Sequence, residues 1–255
     1  MIGLTKTFKF SVFALEQQPD ILDDRGAKTR FESVCESIDY ERAREASKQE
    51  RDVMNAAQSS TSNLTYGEVE YDSLRVIFER IREFGGLQYH QQQQQQQQQL
   101  PEDAGEGCVF VDLGSGCGRP VVAAAVLHPQ FTKIVGVEIL KGLYGMSLEA
   151  QSEWNKLHVG ANEAGRLEFV LGSILRLEDY DWTRAHVLLA NSTCFTIPFF
   201  DSIEKISEKC RPGTYFISLT HCLGQSNAYL HWELLDTMRL KMSWGHAEVC
   251  ISRRR

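Results

Sequence analysis

Cys108-Val109-Phe110-Val111-Asp112-Leu113-Gly114-Ser115-Gly116-Cys117-Gly118 is an apolar run that meets an acid near its end and then breaks into glycines at alternating positions. Five of the first six residues are apolar, the pattern of a strand buried on both faces inside a parallel sheet. The glycines let the backbone turn sharply and approach a ligand that any Cβ would block. About twenty residues on, Lys133-Ile134-Val135-Gly136-Val137-Glu138 reads as a second parallel strand. Its carboxylate stands at the C-terminal tip, where an acid can accept the hydroxyls of a ribose.

The order Asp-Leu-Gly-x-Gly-x-Gly departs from the dinucleotide fingerprint Gly-x-Gly-x-x-Gly, and no Walker lysine follows. These features favour S-adenosylmethionine over a dinucleotide or a triphosphate. The alternative is a glycine-rich turn in some other α/β domain. On the cofactor reading, the first-glycine loop, Asp112 and Glu138 hold the amino-acid and ribose parts, placing carboxylates where the ligand offers donors and positive charge. Ordinary strand-end acids are the alternative for both.

With 255 residues, 42% of them hydrophobic, the chain can bury one substantial core. No apolar run approaches the ~20 residues of a membrane span, and the stretch from Phe8 to Leu15 is short and interrupted by Lys9 and Ser11, unlike an anchor or a signal peptide. Seven cysteines without a Cys-x-x-Cys pair read as scattered small hydrophobes in a reducing, intracellular compartment, with neither a disulfide frame nor a metal expected. A net charge of −7 does not favour general binding to a phosphate backbone. Arg253-Arg254-Arg255 is the only basic cluster and reads as a solvated tail.

From Asp20 to about Gln58 the sequence is polar and charged, and Phe31, Val34, Cys35 and Ile38 recur at the spacing of one amphipathic helix. Residues 58–63 read as a polar linker. Tyr71, Leu74, Ile77, Phe78 and Ile81 form the stripe of a second helix, stopped by Gly85-Gly86. Gln91 to Gln99 is a pure glutamine tract, and residues 88–107 read as a disordered insertion, or alternatively as a glutamine-mediated association surface. Strands are expected at 108–113, 133–139, 167–171, 186–190 and 214–219, with helices near 119–127, 141–158 and 198–210. Leu234 to Trp244 and Ala247 to Ser252, flanking Gly245-His246, read as an antiparallel hairpin. The expectation is an α/β fold with a mostly parallel, Rossmann-like sheet finished by that hairpin. A helical extension over 1–63 precedes the main domain over 64–255. The architecture resembles that of class I methyltransferases.

Thr65-Tyr66-Gly67-Glu68-Val69 resembles the loop before the catalytic core of the Dot-one (disruptor of telomeric silencing) histone-lysine methyltransferases, the non-SET family. The resemblance continues in order through Phe110 to Gly118, Gly136-Val137-Glu138 and Gly172-Ser173-Ile174-Leu175, and covers the chain from about Leu64 onward. It implies cofactor contacts at Tyr66, Gly67, Glu68 and Val69, at Phe110, Val111, Asp112, Leu113, Gly114, Ser115, Gly116, Cys117, Gly118 and Arg119, at Glu138, and at Ser173 and Ile174. It also implies a catalytic, substrate-side role for Asn191.

Asn191 lies at the end of the fourth strand, the carboxyl edge where open α/β sheets place their ligands. Its amide can accept from an amine without adding charge; the alternative is a turn cap. Phe195 can wall the cavity or fill the core.

Ser173 stands where the family has an acid that reads the adenine amino group. Asn191-Ser192-Thr193-Cys194-Phe195 replaces Asn-Asn-Phe-Ala-Phe, and Glu248-Val249-Cys250-Ile251 lacks the tyrosine of a lysine channel. The family's basic stretches for nucleosome contact are also missing. A lysine must be neutral to attack, while its free pKa is near ~10.4, so a dry aromatic channel belongs to the chemistry. Tyr66 and Trp244 are the expected walls, with Tyr66 counted beside Asn191 as catalytic and Phe195 beside Trp244 in the substrate channel. The expected activity is methylation of a protein lysine, on a histone and in the nucleus if the resemblance extends to the acceptor. Another protein nitrogen, an RNA base or a small molecule, or a non-catalytic cofactor-binding interaction module, are the alternatives.

Overall fold

The structure is a computed structural model that describes residues 24–56, 64–85, 107–157, 165–223 and 231–255. The expectations for residues 8–15, the linker at 58–63, Gly86 and the glutamine tract with its flank up to 106 lie outside the described residues.

Helices α1 (Asp24–Cys35), α2 (Tyr40–Ala56) and α3 (Tyr71–Glu83) precede the sheet. Then follow β1 (Cys108–Leu113), α4 (Arg119–Leu127), β2 (Phe131–Glu138), α5 (Lys141–Leu157), β3 (Leu167–Leu171) and β4 (Val187–Ala190). The chain ends with α6 (Ile197–Ser207), β5 (Tyr215–Leu219), β6 (Trp232–Met242) and β7 (Gly245–Arg254). The strands form one seven-stranded sheet in the order β3-β2-β1-β4-β5-β7-β6. The first five are parallel, and β7 runs antiparallel between β5 and β6. The chain reverses its direction of growth between β1 and β4, and the crevice at the carboxyl ends of those strands is where such sheets bind ligands.

Alternation along each strand divides the core into two layers. Phe110, Ile134, Leu189 and Ile217 face the layer of α1, α3, α4 and α5, whereas Val111, Val135, Leu188 and Phe216 face Trp182, Phe200 and Ile203. The expected stripe of α3 is buried throughout, and Gly85 just after that helix takes a left-handed φ of +79°. Among the described residues no helix is long and apolar enough to cross a membrane.

Four expectations are corrected. The single N-terminal helix is two: Asp39 accepts the N–H groups of Glu41 and Arg42 at 3.4 and 3.2 Å, capping a new helix and leaving Ile38 buried in the joint. The hairpin turns at Ser243-Trp244, two residues before Gly245-His246, because Gly245 already pairs with Met242. Tertiary contacts hold this register: Ser243 N donates to Glu68 O, Ser243 Oγ accepts from Glu68 N, and Val69 bridges to Met242. Arg253 and Arg254 extend β7 instead of forming a tail; Arg253 pairs with Glu233 at 2.9 Å, and Arg254 donates to Glu208 O. Finally, Cys222 and Cys250 form a disulfide, brought together by the segment after β5 folding back onto β7 (Cα–Cα 5.4 Å). With Glu248 they make a grouping of metal-type ligands, but the two sulfurs are bonded to each other.

Candidate active site

A cavity opens at the carboxyl ends of β1, β2 and β4 and is roofed by residues 64–69. Its floor is the turn between β1 and α4. Gly114, Gly116 and Gly118 all have left-handed φ, and a Cβ on Gly116 would stand 2.7 Å from the Tyr66 ring, so a side chain is excluded by conformation and by space. Gly114 N and Ser115 N both donate to Val137 O, stitching the turn to β2.

Glu138 forms the next wall. Its Oε1 accepts the N–H groups of Ile139 and Leu140, each at 2.8 Å, and its Oε2 accepts Gly116 N at 2.8 Å. Two lone pairs per oxygen leave one acceptor position, on Oε2, for a ligand. Burial raises the Glu138 pKa, and the three backbone donors act against that shift. Asp112 is buried too, and burial followed by the Glu138 charge pushes its carboxyl well above the usual range.

The roof is held by a polar chain. Tyr66 OH donates to Glu68 Oε1 at 2.5 Å and lies 2.7 Å from Cys117 Sγ. Arg119 Nε pairs with Glu68 Oε2 at 3.1 Å, while its guanidinium stacks on Phe31. Burial raises the Tyr66 pKa, helped by Cys117 and Glu68, and burial pushes the Cys117 thiol up to about 12. Both stay protonated at neutral pH, which makes Tyr66 a donor and a wall rather than a base.

On the far side, Asn191 Nδ2 donates to Gly67 O at 3.0 Å, which turns Oδ1 the other way, buried and without a partner. Ser192 Oγ donates to Leu219 O and accepts from Leu219 N, and Thr220, at φ +69°, meets Thr193 through their hydroxyls at 3.2 Å. Phe195 lines the cavity and makes an edge contact with Phe199 at 4.9 Å.

Of the residues expected from the sequence, Tyr66, Gly67, Glu68, Val69, Asp112, Gly114, Ser115, Gly116, Cys117, Arg119, Glu138, Ser173, Ile174, Asn191 and Phe195 line this one cavity. Phe110, Val111, Leu113 and Gly118 do not. The first three point into the two core layers, and Gly118 backs onto the Phe169 ring. Trp244 stands behind the roof; its ring occupies the space a Cβ on Gly67 would take, 2.5 Å from Cε3. Ser173 N donates to Asp179 Oδ2, and Ser173 Oγ accepts from Leu175 N at 3.3 Å, so the hydroxyl keeps its proton free to donate. Sequence reasoning missed Ile139, Leu140, Leu143 and Phe199, which also line the cavity. Phe199 follows Phe195 by four positions, a helical spacing that could have marked it.

The sequence of residues 82–249, about two thirds of the chain, matches the model of the family described as histone methylation protein DOT1. The chain belongs to that family. No curated protein matches it. In fold the chain is similar to magnesium protoporphyrin IX methyltransferase from Synechocystis PCC 6803, at 12% identity and a TM-score of 0.49 over 93% of this chain and 100% of that one. It is likewise similar to an O-methyltransferase from Bacillus cereus, at 12% identity and a TM-score of 0.49 over 90% and 100%. TrmN from Thermus thermophilus matches at 16% identity and a TM-score of 0.45 over 60% of this chain; the match spans 46% of the TrmN chain.

This DOT1-family chain is an S-adenosylmethionine-dependent methyltransferase. The cavity fits that cofactor on its own chemistry. Asp112 Oδ2 and Ser115 Oγ, on residues that line it, are buried without partners, and a buried acceptor left unmade costs about 1–3 kcal/mol. A ligand carrying an ammonium group and hydroxyls supplies the missing donors.

Proposed function

We propose that this methyltransferase transfers the methyl group to a lysine amine of a protein, with a histone as acceptor and the nucleus as its place of action. The observation that carries the reading is the Asn191 amide of the cavity lining, clamped through Nδ2 with Oδ1 buried and without a partner. S-adenosylmethionine supplies a methyl group on a sulfonium centre, so the protein has chiefly to align donor and acceptor.

In this reading Asp112 takes the ammonium group, the free position on Glu138 Oε2 takes a ribose hydroxyl, and the Gly114–Gly118 turn admits the ligand to the backbone. Ser173 and Ile174 close the adenine end. Asn191 Oδ1 accepts an N–H of the incoming amine and leaves its lone pair facing the methyl group. Tyr66, held by Glu68, and Phe195 exclude water, which disfavours the ammonium form of the acceptor. Trp244 stiffens Gly67, the partner of Asn191.

Transfer of labelled methyl from S-adenosylmethionine to nucleosomes, free histones and total cell protein tests the reading. Label on a histone lysine is the expected result. A second reading has its own support: Glu248, Val249 and Cys250 sit in β7 with no tyrosine among them, and the chain carries a net charge of −7. Label on RNA or a small molecule, with none on histones, moves the acceptor to that class. If no acceptor in any class is labelled while the cofactor binds, the interaction-module reading takes over.

A further inference from the structure

Helix α2 lies outside the family match, yet it reaches the cofactor side of the molecule through one carboxylate. Glu50 Oε1 accepts the N–H of Lys141 at 2.8 Å, and Glu50 Oε2 accepts the N–H of Gly142 at 2.9 Å. These are the first two residues of α5, and the two N–H groups just before them, of Ile139 and Leu140, go to Glu138. Four consecutive donors are thus divided between two carboxylates that lie far apart in sequence. A helix N-terminus leaves about four N–H groups without partners and carries partial positive charge, so it can hold both acids.

The division matters because Glu138 cannot serve all four. With Lys141 and Gly142 satisfied by Glu50, Glu138 keeps its place against Ile139, Leu140 and Gly116, with one oxygen position open to the cavity. Without Glu50, two unpaired donors stand beside the Glu138 carboxylate and compete for it. The rest of α2 is placed to hold this contact. Arg42 pairs with Glu149 of α5 through both carboxylate oxygens, at 2.6 and 2.8 Å, and Ser47 and Arg51 donate to Leu64 O and Thr65 Oγ1 of the roof.

We propose that Glu50 is a positioning residue for the cofactor site: by capping α5 it frees Glu138 to face the ligand, and so makes α2 part of the cofactor-binding apparatus. The inference rests on the S-adenosylmethionine assignment and is independent of the acceptor.

The test compares Glu50→Ala, Glu50→Gln and Arg42→Ala in the full chain, with the dissociation constant for S-adenosylmethionine measured by calorimetry and the melting temperature beside it. Glu50→Ala should weaken binding by about ten-fold, as expected for charge-assisted hydrogen bonds lost one step away from the ligand. Glu50→Gln, with one oxygen and no charge, should fall between it and the wild type. Arg42→Ala weakens α2–α5 docking by one exposed ion pair without touching the cap, and should lower the melting temperature slightly while leaving affinity within about two-fold, the spread of an exposed pair. Wild-type affinity in Glu50→Ala overturns the proposal, and so does an equal loss in Arg42→Ala, which would make docking alone responsible. If Glu50→Ala does not fold, Glu50→Gln is judged against Arg42→Ala by the same criteria. A wild-type chain that fails to bind S-adenosylmethionine refutes the cofactor assignment itself, and the proposal with it.

Discussion

The two halves of the cavity are built by different means. On the β1–β2 side the walls are largely backbone: three glycines at left-handed φ, and Glu138 bound by three main-chain N–H groups. On the β4–β7 side they depend on side chains that meet from distant segments: Asn191 lines the cavity and holds Gly67 O, and Trp244 packs against Gly67 from behind the roof. A backbone wall tolerates few alternatives, because each glycine is required by a dihedral or a close approach. A side-chain wall can change its acceptor by exchanging one residue. The departures from the family's pattern are concentrated there: Ser192 to Cys194 and the missing tyrosine in β7 lie on this side, whereas on the cofactor side the departure is Ser173.

If the halves are separable, substitutions on one should alter turnover and on the other affinity. The largest effect is expected from Asn191→Ala, which should retain cofactor affinity and lose roughly 100-fold in kcat, the penalty of an acceptor misplaced by about 1 Å. A parallel loss of affinity in calorimetry would merge the halves. Glu138→Ala should do the reverse, weakening S-adenosylmethionine binding by about 10- to 100-fold through a lost charged hydrogen bond and three freed N–H groups. Unchanged affinity would remove Glu138 from the site.

Asp112 gives a pH dependence with a definite sign. Its carboxyl is protonated to unusually high pH by burial and by Glu138, and an ammonium ligand favours the ionised form. Affinity should therefore rise as pH increases through that raised pKa, and Asp112→Asn should bind about ten-fold more weakly at the upper end and lose the dependence. A flat profile in the wild type would separate Asp112 from the ammonium group. The smallest change is expected from Trp244→Ala. The indole is 39% exposed and acts through Gly67, so its loss should raise the acceptor KM by about three- to five-fold, equivalent to about 1 kcal/mol, with cofactor affinity unchanged. A larger effect on the cofactor would place Trp244 in the other half.

The sequence by itself determined the β1 strand and its glycine turn, the acid at the tip of β2, the apolar stripe of α3 and the closing antiparallel pair. Each is written in residues a few positions apart, where period, glycine and strand-end charge act locally. Asn191 and Tyr66 were legible as candidates because the family's motifs carried them. What Asn191 does with its two amide atoms was decided by Gly67, 124 positions away. Tertiary structure also broke the N-terminal helix at Asp39, moved the hairpin turn to Ser243-Trp244 by docking it on Glu68, drew Arg253 into β7 and joined Cys222 to Cys250. Glu50 lies on the same side of the division. Within a polar helix it reads as one more solvated acid, because a carboxylate has no local signature for the helix end it will cap; only the packing of α2 against α5 brings it to two unsatisfied N–H groups.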